Sequence, residues 1–456
     1  MAEYDVAIIG SGTAGQTAAG ELVAEGLRVA LVESSETPGG VCALRGCQAK
    51  KWFYEAMEIV ARSRHLLGKG VVSEPVVDWH QVLQEKNRFT EKIPTGTVNN
   101  LRGMGVEYIE GEARFNNDMT IAAGGTSVSA RYYVVASGAK PVRLPIEGNE
   151  HIITSDDFLE LNRLPERIVF VGGGFVSFEF AHFAARLGSK PGAVHILEAG
   201  PRPLVPFDED MVAQLVEASE DDGIRVQRKV TVAAVAKEGS GYRVTLASGE
   251  SIETDLVVNG AGRIPDIDSL ELESVGVNYN RAGIEVDTTM KSSNERIFAV
   301  GDCASTIKLA RVADYEAKVA VAAILAAENG EDVNGIDYQP VPSVLFSYPQ
   351  LGMVGKTEAQ LQDEGIKYWK SADTKLSWPT YRRIGMKHGA YKILVGSDDC
   401  ILGAHFLGDN TSGLVNTCKQ AMIDRIPIGK LRDDNIMSPY PSRESDILYM
   451  LSSLLE

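Results

Sequence analysis

The chain has 456 residues, enough for about three domains, and its content of 44% hydrophobic and 23% charged residues is typical of a globular protein. Its formal net charge of −17 argues against a nucleic-acid partner, because the nucleic-acid phosphates would be repelled. The apolar runs are too short to cross a bilayer, and the first residues lack the basic and apolar segments of a signal peptide. We therefore expect a cytoplasmic protein with no membrane partner.

A phosphate-binding pattern lies near the start of the chain. An apolar strand is predicted before Gly10-Ser-Gly12-Thr-Ala-Gly15, an alanine-rich helix follows, and a second apolar strand ends at Glu33. In such a βαβ unit Gly10 allows the tight turn, Gly12 lets a pyrophosphate approach the backbone, and Gly15 allows close packing of helix and strand. Glu33 is expected to accept hydrogen bonds from a ribose. An ordinary α/β turn is the alternative.

The same arrangement recurs later in the chain. A predicted strand at residues 168–171 precedes Gly172-Gly-Gly174, and the strand after the following helix ends at Glu198. Two such units indicate two dinucleotide sites. A carboxylate at Glu198 favours the free 2′-hydroxyl of NADH over the phosphate of NADPH, although Arg202 could weaken that preference.

Further strands and helices are predicted between and after these units. Strands ending at glycine are expected at 132–138 and 256–262, and another strand ends in the Gly301-Asp302 turn. From about residue 341 alternating apolar patterns and amphipathic helices indicate an α+β domain. Its predicted elements are strands at 343–346, 390–395 and 401–407 and helices at 357–364 and 412–423.

Two of the five cysteines lie close together, in Gly40-Val-Cys42-Ala-Leu-Arg-Gly-Cys47. We expect both on one helical turn, where a disulfide can open and close. In a reducing compartment a close pair is more often redox-active or metal-binding than structural. The seven histidines show no spacing that would complete a zinc site, so we predict no metal centre. Two buried thiols that never pair are the alternative.

Together these motifs resemble those of the FAD-dependent pyridine nucleotide–disulfide oxidoreductases, the family of dihydrolipoamide dehydrogenase, glutathione reductase and mercuric reductase. The resemblance covers essentially the whole chain and implies FAD and NAD(H) as cofactors, a homodimer, and a small-molecule or protein-bound disulfide as substrate. The implied fold class is α/β, with two Rossmann-like dinucleotide-binding domains and a C-terminal α+β dimerisation domain. The implied boundaries are 1–150 with 270–340 for the FAD-binding domain, 151–269 for the NAD-binding domain and 341–456 for the interface domain.

The resemblance also implies roles for individual residues. Cys47 would face the flavin, and Cys42 would exchange with the substrate. Lys51 would lie near flavin N5 with Glu179 paired to it, where a cation stabilises negative charge on the reduced ring. Phe175 takes the position of an aromatic gate over the nicotinamide, with a core phenylalanine as the alternative. The further implied cofactor contacts are Gly40, Ser137, Gly138, Gly172, Gly174, Gly262, Asp302, Leu309 and Ala310.

The C-terminal motif departs from the family pattern. Disulfide reductases of the family carry a His–Glu dyad there that reaches the partner subunit, whereas this chain has Tyr440 and Ser445 at the two positions. An ordinary tyrosine, with a pKa of about 10, is a poor base at neutral pH. Glu444 lies one residue earlier, which on a helix rotates it by about 100°. Mercuric reductase resembles this chain in having the tyrosine, but it also uses a C-terminal cysteine pair.

Three cations surround the cysteines, namely Arg45, Lys50 and Lys51. They could lower the pKa of a thiol or attract an anionic substrate, and a solvated helix face is the alternative.

We predict a dihydrolipoamide dehydrogenase-like disulfide reductase with an unusual substrate, which passes electrons between NADH, FAD and the Cys42–Cys47 disulfide. A flavin-dependent quinone or metal-ion reductase and a redox-sensing flavoprotein are the alternatives.

Overall fold

Each glycine-rich turn follows a buried parallel strand, as the sequence predicts. These features are seen in a computed structural model that describes residues 3–455. Within these residues no helix is long and apolar enough to cross a membrane. The chain forms two compact units: the first contains the described residues up to Trp52, Leu83–Val142 and Arg263–Asp337, and the second contains Phe53–Val82, Arg143–Gly262 and the described residues from Tyr338 onward.

The main sheet of the first unit is built around strand Tyr4–Ile9, whose last four residues are buried. Strands Val29–Glu33 and Thr126–Val135 pair with it on either side, both in parallel. The parallel pairing places the glycine turn and Glu33 at the same edge of the sheet. Across the sheet the strands run Glu107–Glu110, Val29–Glu33, Tyr4–Ile9, Thr126–Val135, Thr120–Ala123 and Arg114–Phe115, with Ile297–Ala299 paired to Thr126–Val135.

Helices Thr13–Ala24 and Ala310–Asn329 pack against each other in the first unit. The core of the unit consists of the apolar side chains of the sheet together with residues such as Leu270 and Ile284. Short strand pairs join Ala139–Pro141 to Arg263–Pro265 and Tyr279–Asn280 to Gly283–Ile284. The other helices that begin in or run into this unit are Gly40–Leu44, Cys47–His65, Trp79–Thr90 and Ile93–Gly103.

The second unit contains a parallel sheet around the fully buried strand Ile168–Val171. Strands Val194–Glu198 and Leu256–Asn259 flank it, and Ile224–Arg228 pairs with Val194–Glu198. Apolar residues of this sheet share a core with an antiparallel three-stranded sheet. The three strands are Val232–Glu238, Gly241–Leu246 and Ser251–Thr254, and the nearby helices are Ser155–Phe158, Phe175–Leu187 and Glu209–Asp221.

An antiparallel five-stranded sheet completes the second unit, and its strand Ala390–Val395 is buried along its whole length. The strand order is Ser343–Leu345, Gln350–Gly355, Ile401–Gly408, Ala390–Val395 and Trp369–Asp373. The helices are Glu358–Asp363, Pro379–Arg382, Thr411–Ile423, Ile428–Asn435 and Ile447–Ser452.

The predicted C-terminal elements are confirmed within about one residue, but two other predicted strands end earlier than expected. The strand predicted at 132–138 ends at Val135, and the one at 256–262 ends at Asn259. The strand Ile297–Ala299 is followed, as predicted, by a short turn that contains Gly301 and Asp302. The glycines beyond these ends have φ of +75° at Gly138, +113° at Gly262 and +72° at Gly301, values that a strand does not adopt.

Candidate active site

The first glycine turn admits no side chain at two of its positions. Gly10 has a φ of +104°, and a Cβ there would lie 2.4 Å from the carbonyl oxygen of Ala136. A Cβ at Gly15 would lie 1.9 Å from the carbonyl oxygen of Gly10. Both contacts are far below van der Waals distance, so the turn depends on these glycines.

The backbone of Gly12 also meets a second glycine segment. A Cβ at Gly40 would lie 2.5 Å from the Cα of Gly12, and Gly40 has a φ of +80°. The amide of Gly39 donates to the hydroxyl of Ser11 at 3.0 Å. The segment that precedes Cys42 is therefore fixed against the dinucleotide turn.

Glu33 holds this turn from the end of the neighbouring strand. Its Oε2 accepts hydrogen bonds from the amide of Ser11 at 2.8 Å and from the Ser11 hydroxyl at 2.6 Å. Its Oε1 accepts from the amide of Ser35 at 2.7 Å. An acid beside a glycine cradle fits the ribose and pyrophosphate of a dinucleotide. Ser11 is not among the residues predicted from the sequence, although it lies inside the glycine motif.

The two cysteines do not lie on one helical turn, contrary to the expectation. Cys42 belongs to helix Gly40–Leu44, and Cys47 is the first residue of helix Cys47–His65. The break lies at Gly46, where a Cβ would be 2.9 Å from the carbonyl oxygen of Val41. Both residues are thiols in this structure, with Cys42 half-buried and Cys47 exposed.

The pKa of Cys42 is raised above its usual value. Hydrogen bonding with Cys47 is the largest cause and burial the second, while the Thr13 hydroxyl acts in the opposite direction. Arg45 donates to the Thr37 hydroxyl at 2.6 Å. The pKa of Cys42 is thus raised overall, whereas the nearby cations could lower it.

In the first unit, Asp302 also lies close to the start of the long helix Ala310–Asn329, both along the chain and in the structure. Burial raises the pKa of Asp302, and the charge of Lys308 opposes that shift. The Lys308 ammonium donates to the carbonyl oxygens of Asp302 at 2.9 Å and of Ala282 at 3.0 Å. Helix Ala310–Asn329 begins after Leu309, and a Cβ at Gly301 would lie 3.3 Å from the Cβ of Ala313 in its first turn, so the positive end of the helix dipole lies beside this turn. Ser137 lies near Cys303. Burial raises the pKa of the Cys303 thiol.

The second glycine turn repeats the first in the other unit. Gly172 has a φ of +101°, and a Cβ there would lie 2.6 Å from the Cα of Ala261. Gly174 directly precedes helix Phe175–Leu187. Glu198 accepts a hydrogen bond from the amide of Gly173 at 2.6 Å, as Glu33 does from Ser11.

Arg202, which could weaken the preference for NADH over NADPH, is held by main-chain oxygens. Its guanidinium donates to the carbonyl of Val205 at 2.7 Å and to that of Phe207 at 3.0 Å.

Phe175 is 54% exposed, so the structure does not place it in the core.

Glu179 is a buried carboxylate on helix Phe175–Leu187, only 1% exposed. Its Oε1 accepts a hydrogen bond from the amide of Phe346 at 2.9 Å. Lys51 belongs to the first unit, on helix Cys47–His65. The pairing of Glu179 with Lys51 stays a prediction.

Tyr440 is 72% exposed in the C-terminal segment. Ser445 is buried and donates through its hydroxyl to the carbonyl of Ser442 at 2.7 Å, closing a local turn. The Glu444 carboxylate accepts from the Asn410 side chain at 3.4 Å, beside the start of helix Thr411–Ile423. Both side chains therefore have local structural partners.

Comparison with known proteins identifies the family. Residues 4–317 match the profile described as pyridine nucleotide-disulphide oxidoreductase, and residues 341–447 match the dimerisation domain of that family. The chain belongs to the pyridine nucleotide–disulphide oxidoreductases. It is therefore an FAD-dependent oxidoreductase that uses a nicotinamide nucleotide, and the predicted fold class is confirmed.

Relatives of this pyridine nucleotide–disulphide oxidoreductase include a dihydrolipoyl dehydrogenase of Staphylococcus aureus, 30% identical over 428 residues that cover 91% of this chain and 89% of the relative. A glutathione reductase of Burkholderia cepacia is 30% identical over 418 residues, covering 91% of each chain. Among solved structures, the HOCl-induced flavoprotein disulfide reductase RclA from Escherichia coli has a TM-score of 0.87 at 26% identity, covering 99% of this chain and 100% of that chain. A Cu(II) complex of RclA has a TM-score of 0.88 at 26% identity and covers 100% of both chains.

The Gly12–Gly40 contact predicts a sharp effect on FAD binding. Gly40→Ala is expected to weaken FAD retention by at least about tenfold, because the new methyl group meets backbone at a positive φ. The measurement is a titration of apoprotein with FAD, followed by flavin fluorescence. Gly20→Ala in helix Thr13–Ala24 is the control, since a Cβ there has no atom within 4 Å. Equal FAD affinity in the two variants would contradict the role of the contact.

Proposed function

We propose that this oxidoreductase is an NADH-dependent disulfide reductase whose redox centre is the Cys42–Cys47 pair. The observation that carries the proposal is the position of Cys42. It lies two residues beyond Gly40, whose backbone contacts the dinucleotide turn, and its thiol interacts with that of Cys47. A pair of thiols beside a dinucleotide cradle suits a disulfide that opens and closes.

Bound FAD would relay two electrons between the nicotinamide and the cysteine pair. The Cys42–Cys47 disulfide takes up two electrons and two protons to give two thiols. The Cys42 thiolate then attacks the substrate disulfide and releases one substrate thiolate, and Cys47 attacks the mixed disulfide to release the second. The cysteine disulfide is thereby restored, and each released thiolate takes up one proton.

The preference for NADH rests on the second glycine turn. Glu198 places a carboxylate beside Gly173, where the 2′-position of the adenosine ribose would lie, and a 2′-phosphate would face that negative charge. Arg202 is engaged by the carbonyls of Val205 and Phe207, which supports the same preference.

The functional unit in this proposal is a homodimer in which Tyr440 contributes to the thiol-exchange site of the partner subunit. The dimerisation-domain match and the exposure of Tyr440 support it. In this function residues 1–150 with 270–340 bind FAD, residues 151–269 bind the nicotinamide nucleotide and residues 341–456 form the dimer interface, with the cofactor contacts that the motifs imply. The substrate is a small-molecule or protein-bound disulfide.

Metal-ion reduction is a second candidate, favoured by the likeness to RclA, for which a Cu(II) complex has been solved. Residues 3–455 contain no group of three or more histidine, cysteine or acidic side chains that could hold a metal ion. In this alternative the metal ion is a substrate rather than a resident cofactor.

A turnover assay with several acceptors tests the proposed function. With NADH the holoenzyme is expected to reduce disulfides, and NADPH is expected to be at least about tenfold slower, because a 2′-phosphate meets Glu198. Cys42→Ser should abolish disulfide reduction while NADH still reduces the flavin. Cys400→Ser is the matched control at a cysteine outside the pair.

The acceptor panel includes lipoamide, glutathione disulfide, quinones and Cu(II). Activity with quinones or Cu(II) alone that survives Cys42→Ser would contradict the proposal and favour direct transfer from the flavin. No turnover with any acceptor would contradict it as well and favour a redox sensor.

The pH dependence of thiol chemistry gives a further prediction. Oxidation of dihydrolipoamide should be slow at pH 7 and accelerate as the pH rises, because thiol protons must be removed, the pKa of Cys42 is raised, and tyrosine is a poor base. Tyr440→His combined with Ser445→Glu should increase the rate at pH 7 by about 10²-fold and flatten the profile. The measurement is initial rate against pH, with Tyr440→Phe as control. A wild-type rate at pH 7 equal to that of the double variant would show that another residue is the base.

A further inference from the structure

The segment of residues 436–440, which carries Tyr440, is exposed. A buried arginine, Arg443, follows it. Ile436 is 67% exposed, Met437 87% and Tyr440 72%. Arg443, three residues after Tyr440, is only 6% exposed. A buried guanidinium is costly unless it is paired, so its partners determine where this part of the segment lies.

Arg443 is held by three side chains. Its Nε donates to Oδ1 of Asp409 at 2.5 Å, and its Nη1 lies 3.9 Å from Oδ2 of Asp446. Its guanidinium carbon lies 3.9 Å from the centre of the Tyr381 ring. Asp409, Asp446 and Tyr381 are buried themselves, so the guanidinium has a defined position.

The partners of Arg443 belong to well-packed parts of the C-terminal sheet region. Asp409 directly follows strand Ile401–Gly408, and Tyr381 lies on helix Pro379–Arg382. The Thr380 hydroxyl donates to Oδ2 of Asp446 at 2.6 Å, which fixes the second carboxylate. The exposed segment is thus tied to rigid structure at Arg443.

The chain has no carboxylate at position 445 to orient the residue at position 440. Ser445 instead bonds to Ser442, and Glu444 lies beside Asn410. Orientation of Tyr440 must then come from another anchor. The buried pair of Arg443 and Asp409 is such an anchor, only three residues away.

We propose that Arg443, held by Asp409, is a positioning residue that directs Tyr440 to the thiol-exchange site of the partner subunit. This inference rests on the proposed function, since it assumes that Tyr440 acts in thiol exchange. Arg443 itself does not touch the reacting groups. Its effect is confined to the half-reaction in which reduced enzyme meets the disulfide.

Stopped-flow measurements on the holoenzyme separate the two half-reactions. In Arg443→Met, flavin reduction by NADH should keep its wild-type rate, whereas oxidation of the reduced enzyme by a saturating disulfide should slow by about tenfold or more. Arg443→Lys keeps the charge but loses the planar fork, and an intermediate rate is expected. Arg425→Met is the matched control, because Arg425 is an exposed arginine of the same unit.

Non-additivity distinguishes positioning from general stabilisation. Adding Arg443→Met to Tyr440→Phe should slow the oxidative half-reaction no further than Tyr440→Phe alone. Additive losses, or equal slowing of both half-reactions in Arg443→Met and Arg443→Lys, would overturn the inference. If Tyr440→Phe slows thiol exchange and neither Arg443 variant does, only the positioning role fails. If Tyr440→Phe has no effect, the proposed role of Tyr440 fails together with the inference.

Discussion

The close backbone contact between Gly12 and Gly40 is the constraint on which the candidate redox site depends. Gly12 belongs to the dinucleotide turn, and Gly40 is the first residue of the short helix that carries Cys42. The Ser11 hydroxyl donates to Glu33 and accepts from the amide of Gly39, so one side chain joins both glycine segments to the sheet. A side chain at Gly40 would clash with the backbone of Gly12. The binding of the cofactor and the position of Cys42 therefore depend on the same close contact.

The unusual feature of the site is the proton chemistry of its two thiols. The pKa of Cys42 is raised by Cys47 and by burial, which favours the protonated thiol. The family dyad would supply a base, and this chain has Tyr440 and a Ser442–Ser445 turn in its place. The proposed enzyme is therefore suited to alkaline thiol exchange or to an acceptor that requires little proton removal.

Much of the fold could be predicted because strands and turns have local signals. The apolar run at Ile168–Val171 and the glycine motif after it are enough to place a βαβ unit. Strand ends were predicted less well, since the sequence does not show that Gly138 and Gly262 have positive φ. The spacing of the two cysteines permits one helical turn, but the chain breaks at Gly46 into two helices, and the sequence does not show that break.

Contacts between distant residues could not be predicted from local patterns. Arg443 and Asp409 are 34 positions apart, and nothing near either residue indicates that they pair. The contact of Arg202 with the carbonyl of Phe207 joins residues only five positions apart, but it depends on the path of a loop. Such contacts decide which cations are available to a ligand and which are structural, and they appear only once the chain is folded.

Whether the Cys42–Cys47 disulfide stores electrons beside the flavin can be measured by an anaerobic reductive titration. Oxidised holoenzyme is titrated with dithionite while the flavin absorbance is followed. We expect uptake of about four electrons per FAD, two by the flavin and two by the disulfide, and about two in Cys42→Ser. Uptake of about two electrons by the wild-type enzyme would show that the cysteines take no part in the redox cycle.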